Sequence, residues 1–186
     1  MPLTLQESRC GKPNWVRYNV KSLNREMLKR SPRSRRKAVR PGVRFAIVAS
    51  NYNQRYVDAM LRAAKATLVR AGAREIKVVR VPGAFEIPVV AAKLAAYTKR
   101  PFSAIICLGV ILRGETTHAQ HIGEAVSQAL VHIQVAHHVP VIHEVLLLEN
   151  EAQAKARCMS KTHNRGDEAA GTALEMARTL GALSTL

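Results

Sequence analysis

One loop of the sequence combines residue types that bind an anion with a residue type that transfers protons. It spans Gly109–His118, between an apolar run and the start of a predicted helix. Gly114 allows close approach of the backbone, while Thr116 and Thr117 bring hydroxyl and N–H groups to the helix N-terminus, where the helix dipole favours an anion such as phosphate. His118 lies in the first turn, and imidazole groups move protons near neutral pH. A simple helix cap with a solvated histidine explains the loop equally well.

Two further segments offer side chains that suit a polar substrate. Within Val81–Pro88, Phe85 can face a ligand and Glu86 can accept hydrogen bonds from hydroxyl groups. Alternatively, Phe85 packs in the core and Glu86 complements the N-terminus of the next helix. Arg157 and Arg165 flank a polar loop and can clamp a phosphate, although isolated arginines are more often solvated.

Other ligand classes find little support in the sequence. It contains neither the GxxxxGK[ST] motif of nucleotide triphosphate sites nor the GxGxxG motif of dinucleotide sites. His118 and His121 have the spacing of a metal-binding pair, but no acidic or cysteine partner stands at a useful spacing, so we predict no metal site and no cofactor. Cys10, Cys107 and Cys158 are odd in number and far apart, which fits reduced thiols in a cytoplasmic protein.

The elements that position these residues alternate between strand and helix. Apolar runs predict strands over 45–49, 76–81, 104–108 and 141–148, and helical spacing predicts helices over 54–70, 86–98, 118–138, 149–157 and 167–180. We expect Asn53 to cap the first helix and Gly72 to end it. Strict alternation predicts an α/β fold, a parallel sheet with helices on both faces. In the flavodoxin-like strand order 2-1-3-4, ligands bind between strands 1 and 3, where the loops 50–53 and 109–118 meet.

Charge divides the chain into two parts. The 186 residues carry a net charge of +16, and residues 1–42, with twelve basic and two acidic residues, account for +10 of it. We predict that residues 1–42 are a disordered leader and that residues 43–186 form one catalytic domain. The leader is compatible with a nucleic-acid-binding arm, an organellar transit peptide or a wrongly assigned start codon. No stretch is apolar enough for a membrane helix, so we expect a cytoplasmic protein, or an organellar one if the leader is a transit peptide.

From about Arg44 to Leu180 the sequence resembles the lumazine synthase family of riboflavin biosynthesis. The segments that carry this resemblance are Ser50–Asn53, Pro82–Pro88, Gly109–His118, Glu149–Ala154 with Arg157, and Asn164–Ala170. The resemblance implies a three-layer flavodoxin-like fold. It also implies condensation of 5-amino-6-(D-ribitylamino)uracil with 3,4-dihydroxy-2-butanone 4-phosphate, without an organic or metal cofactor.

The resemblance also implies roles for individual residues. His118 would transfer protons, Arg157 of an adjoining subunit would bind phosphate, and Tyr52 would stack on the pyrimidine. Phe85 and Glu86 would line the ribityl site. The remaining implied substrate contacts are Ala84, Val110, Ile111, Leu112, Glu115, Thr116, Thr117, His143 and Arg165.

Assembly and partners follow from the same resemblance. It implies a homopentamer, with a shell of sixty subunits favoured by the short segment 157–166, and it suggests riboflavin synthase as a functional partner. The departures from the family include four positions of the last predicted strand: His143 and Glu144 stand where Phe and Gly are usual, and Leu147 and Leu148 where Thr is usual. These departures keep open a second hypothesis, a non-catalytic flavin- or lumazine-binding shell protein of the same fold.

Overall fold

A computed structural model describes residues 42–184 of the chain. The predicted basic leader therefore lies outside the described residues, apart from Gly42. The elements in chain order are β1 (Arg44–Ser50), α1 (Gln54–Arg70), β2 (Glu75–Val81), α2 (Ile87–Ala95), β3 (Ala104–Leu112), α3 (His118–His137), β4 (Val141–Leu148), α4 (Glu151–Cys158) and α5 (Arg165–Leu183). No helix within these residues has the length and apolar character needed to cross a membrane.

The four strands form one parallel sheet in the order β2-β1-β3-β4, as predicted. Neighbouring residues of a strand face opposite sides of the sheet, so β1 sends Phe45 and Ile47 into one core, and Ala46 and Val48 into the other. Helices α1, α4 and α5 cover the first face, and α2 and α3 cover the second. The result is the predicted three-layer α/β fold, and it explains why β1 and β3 read as continuous apolar runs.

Several element boundaries differ from the prediction. The third strand continues to Leu112 instead of ending at 108, because Gly109–Leu112 pair with Val145–Leu148 of β4. Helix α2 ends at Ala95, three residues earlier than expected. Helix α4 begins only at Glu151, because the side chain of Asn150 accepts a hydrogen bond from the N–H of Gln153 and caps it.

Helix α5 is longer than predicted at both ends, whereas the C-terminus of helix α1 lies where the sequence predicts it. The side chain of Asn164 accepts a hydrogen bond from the N–H of Gly166, so α5 begins at Arg165 instead of 167 and runs to Leu183. Gly72, directly after the C-cap of α1, has a φ of 87°. That left-handed conformation suits glycine at a helix C-terminus.

Candidate active site

A cavity of about 760 Å³ opens at the carboxyl ends of the strands, where the strand order predicts a ligand site. Three of the predicted segments, the β1–α1 loop, the segment after β2 and the end of β3 with the following loop, contribute to it. The predicted site residues that line it are Tyr52, Ala84, Phe85, Glu86, Val110, Ile111, Leu112, Thr116 and His118. A cavity of this size suits a small organic substrate.

Two aromatic side chains at the cavity are open to solvent. Tyr52 is 72% exposed and Phe85 is 61% exposed, which is unusual for large apolar groups. Backbone hydrogen bonds join their two loops: the N–H of Asn51 donates to the carbonyl of Val81 at 2.8 Å, and the N–H of Tyr52 donates to that of Pro82 at 3.0 Å. The rings thus sit on connected backbone and present faces on which a planar heterocycle can stack.

Asn53 does not cap helix α1 with its side chain, contrary to expectation. Its backbone is left-handed, with φ of 54°, and its Nδ2 donates to the carbonyl of Val110 at 2.8 Å. Asparagine tolerates this conformation better than most residues. The bond ties the Tyr52 loop to β3, across the point where the strand order reverses. No local pattern indicates this contact, because it joins residues 57 positions apart.

Glu86 is half-buried at the position before α2. Its Oε2 accepts a hydrogen bond from the N–H of Gly83 at 2.9 Å, which closes the turn after β2. The carboxylate therefore has a fixed place on the cavity wall. A fixed acceptor of this kind can bind the hydroxyl groups of a polyol.

The predicted anion-binding loop is exposed along Arg113–His118. The N–H of His118 approaches Thr116 Oγ1 at 3.4 Å, and the side chain of Thr117, the N-cap residue, makes no capping hydrogen bond. Backbone N–H groups at this helix start therefore remain suited to an anion. Glu115 and Thr117 belong to the loop, but they are not part of the cavity lining.

Helix α3 contributes four lining residues that the sequence reasoning missed, namely Ala119, His121, Ile122 and Ala125. His121, Ile122 and Ala125 line the cavity together with His118. Their spacing of three, four and seven residues from His118 places them on one helix face. That periodicity was available in the sequence. In the sequence, His121 stands out only by its metal-pair spacing with His118. Within residues 42–184, no group of three potential metal ligands comes together.

His143, Arg157 and Arg165 do not line this cavity. His143 lies on β4 and faces α3, where its Nε2 is 2.8 Å from Ser127 Oγ. Its Nδ1 accepts from the N–H of Val145 at 3.4 Å, and Ser127 donates to the carbonyl of Gly123 at 2.7 Å. These partners assign the proton of a neutral imidazole to Nε2. Burial lowers the pKa of His143, which also favours the neutral ring.

The two arginines lie on the other side of the sheet from His143. Arg157 is exposed in the last turn of α4, and Arg165 is the first residue of α5. Arg165 Nε donates to Glu144 Oε2 at 3.1 Å, and its Nη1 donates to Glu168 Oε2 at 2.6 Å. Burial raises the pKa of Glu144 to about 7, although the positive charge of Arg165 opposes this shift.

A family model and several curated relatives that match this chain carry the same description. Residues 42–181 match the family model described as 6,7-dimethyl-8-ribityllumazine synthase. The chain is 41% identical over 139 residues to the protein of that name from Stenotrophomonas maltophilia strain R551-3, covering 74% of this chain and 88% of the relative. It is 42% identical over 144 residues to that of Desulfotalea psychrophila, covering 76% and 92%. For Clostridium kluyveri strain ATCC 8527 the identity is 38% over 141 residues, covering 75% and 90%.

Proposed function

The chain belongs to the 6,7-dimethyl-8-ribityllumazine synthase family, and on that premise we propose the reaction that it catalyses. It condenses 5-amino-6-(D-ribitylamino)uracil with 3,4-dihydroxy-2-butanone 4-phosphate to give 6,7-dimethyl-8-ribityllumazine, phosphate and water. The observation that carries this proposal is the shared cavity, which combines two exposed aromatic rings with His118 at a helix N-terminus. The catalytic domain comprises residues 43–186, and residues 1–42 are its basic leader.

Each part of the cavity suits one part of the substrates. Tyr52 stacks on the pyrimidine, while Phe85 and Glu86 hold the ribityl chain. The loop residues 114–117 bind the phosphate, chiefly through backbone N–H groups at the start of α3. His118 transfers protons during imine formation and phosphate elimination. Holding both substrates together supplies most of the rate, since proximity contributes ~7–11 kcal/mol, and acid–base catalysis adds ~10²–10⁴-fold.

We further propose that a second copy of the chain completes the site. His143, Arg157 and Arg165 lie away from the cavity of their own chain, so they act on the cavity of an adjacent subunit. Val131 and Val135 are exposed on α3, which suits a subunit contact. The assembly is a cytoplasmic homopentamer, and twelve pentamers form a shell. Riboflavin synthase would consume its product.

Mixing the two substrates with the full chain and following lumazine absorbance tests the proposal. We expect a rate well above that of the uncatalysed condensation. A rate equal to the background would reject the catalytic proposal. Tight binding of lumazine or flavin without turnover would instead select the non-catalytic shell protein, and native mass spectrometry of the same sample distinguishes monomer, pentamer and shell.

Replacing Arg157 by alanine is expected to raise the KM for the phosphorylated substrate. The lost interaction is a charge-assisted hydrogen bond, worth ~1.5–3 kcal/mol, which corresponds to about 10–150-fold. The KM for the pyrimidine should change much less. Lys155→Ala is the matched control, because Lys155 is an exposed cation on the same helix, with its Nζ 3.9 Å from Glu151 Oε2. Equal effects of both variants on the KM would show that overall charge, and not Arg157, attracts the phosphate.

A further inference from the structure

Glu144 is an unusual residue for a buried position of this sheet. Its side chain lies on β4, on the face that carries Ile142 and Leu148 of the first core. It is 6% exposed, and within residues 42–184 it is the only buried residue with an ionisable carboxylate. Placing a carboxylate among aliphatic side chains is unfavourable unless its partners compensate for lost hydration.

The partner of Glu144 is the guanidinium group of Arg165, which two carboxylates hold. Glu144 Oε2 accepts from Nε at 3.1 Å, and Glu168 Oε2 accepts from Nη1 at 2.6 Å. The backbone of Arg165 is fixed as well, because Asn164 caps α5 next to it. A planar guanidinium held by two of its nitrogen atoms has little freedom to rotate.

One edge of this guanidinium remains available. The side chain of Arg165 is 33% exposed, and among the described residues none accepts a hydrogen bond from its Nη2. The helix dipole disfavours a cation at the start of α5, so Glu144 and Glu168 offset an unfavourable position as well as orienting the group. Arg165 therefore presents a fixed donor to a ligand outside its own chain.

We propose that Glu144 is a positioning residue that orients the free edge of Arg165 toward the anionic substrate. This inference rests on the proposed function, in which Arg165 acts on the cavity of an adjacent subunit. It also accounts for a carboxylate close to an anion site. Glu144 acts on Arg165 through one oriented hydrogen bond, and Arg165 alone meets the substrate.

Two variants of Glu144 distinguish the orientation of Arg165 by a hydrogen bond from an effect of the negative charge of Glu144. Glu144→Gln keeps an oxygen acceptor for Arg165 Nε, whereas Glu144→Leu removes it at similar volume. We expect Glu144→Leu to raise the KM for 3,4-dihydroxy-2-butanone 4-phosphate about tenfold, one hydrogen bond's worth, with kcat changed less than about threefold. Glu144→Gln should stay within about threefold of the unmodified enzyme on both parameters. The dissociation constant of inorganic phosphate, measured by calorimetry, should follow the same order.

A double-mutant cycle distinguishes positioning from a purely structural role. In the Arg165→Ala background, Glu144→Leu should leave the KM unchanged, because the residue through which Glu144 acts is gone. An equal rise of the KM in both backgrounds would overturn the inference, as would a Glu144→Leu enzyme with an unchanged KM. Absence of turnover in the unmodified enzyme would instead reject the proposed function, so the two failures are distinguishable. Circular dichroism confirms that each variant is folded.

Discussion

Replacing His118 by alanine is expected to lower kcat by about 10²–10⁴-fold, the usual contribution of a general acid–base group. His118 is exposed in the first turn of α3 and lines the cavity beside the predicted anion-binding loop. In the proposed mechanism, its imidazole moves protons while backbone N–H groups hold the phosphate. The KM values should change little, because alanine leaves that backbone and the Tyr52 and Phe85 rings in place. Steady-state kinetics with each substrate varied in turn separates the two parameters.

His132→Ala is the matched control for this experiment. His132 is an exposed histidine on the same helix, but it does not line the cavity, so its loss should leave kcat unchanged. Some activity should survive in His118→Ala, since holding the two substrates side by side accelerates their reaction even without the imidazole. A kcat of His118→Ala within about threefold of the unmodified value would fall far below the effect of a general acid–base group, and would remove His118 from the mechanism.

The topology of the sheet was predictable because it depends on local regularities. Alternation of apolar runs with helical periodicity sets the order of the elements, and the buried strands β1 and β3 leave few alternatives to a parallel sheet. The end of β3 was not predictable in the same way. Gly109 interrupts the apolar run after Leu108 and so suggests the start of a loop, and only the pairing of Gly109–Leu112 with β4 extends the strand.

The candidate site, too, was predictable only where it depends on local sequence patterns. The loops around Tyr52 and His118 were expected to meet, because each follows a strand at the switch point of the sheet. The contacts that fix the side chains join residues distant in sequence: Asn53 to Val110, and Arg165 to Glu144. In the sequence, Glu144 stands out only as a charge at a position where the family usually has Gly. Its partner depends on which face of β4 the side chain occupies, and on where α5 packs.

The close approach of helices α1 and α5 leads to a second large effect, on stability. A Cβ atom added to Gly166 would lie 2.6 Å from the carbonyl carbon and 2.7 Å from the Cα of Met60, and closer still to the carbonyl oxygen. These are backbone atoms of α1, which cannot rotate away as a side chain would. Gly166→Ala therefore has to separate the two helices, which also pack Ala169 and Ala170 against the first core.

We expect Gly166→Ala to lower the free energy of unfolding by about 3 kcal/mol, the upper part of the range for overpacked interiors. Gly181→Ala on the same helix is the matched control, because an added Cβ there meets nothing within 4 Å. Replacing that glycine within the helix should raise the free energy of unfolding by ~0.5–1 kcal/mol. Urea titration at one protein concentration measures the free energy of unfolding of both variants. The slope of that free energy against urea concentration shows whether unfolding exposes the same amount of surface. If both variants shift the midpoint alike, helix propensity outweighs the contact, and the α1–α5 packing is looser than the distances at Gly166 require.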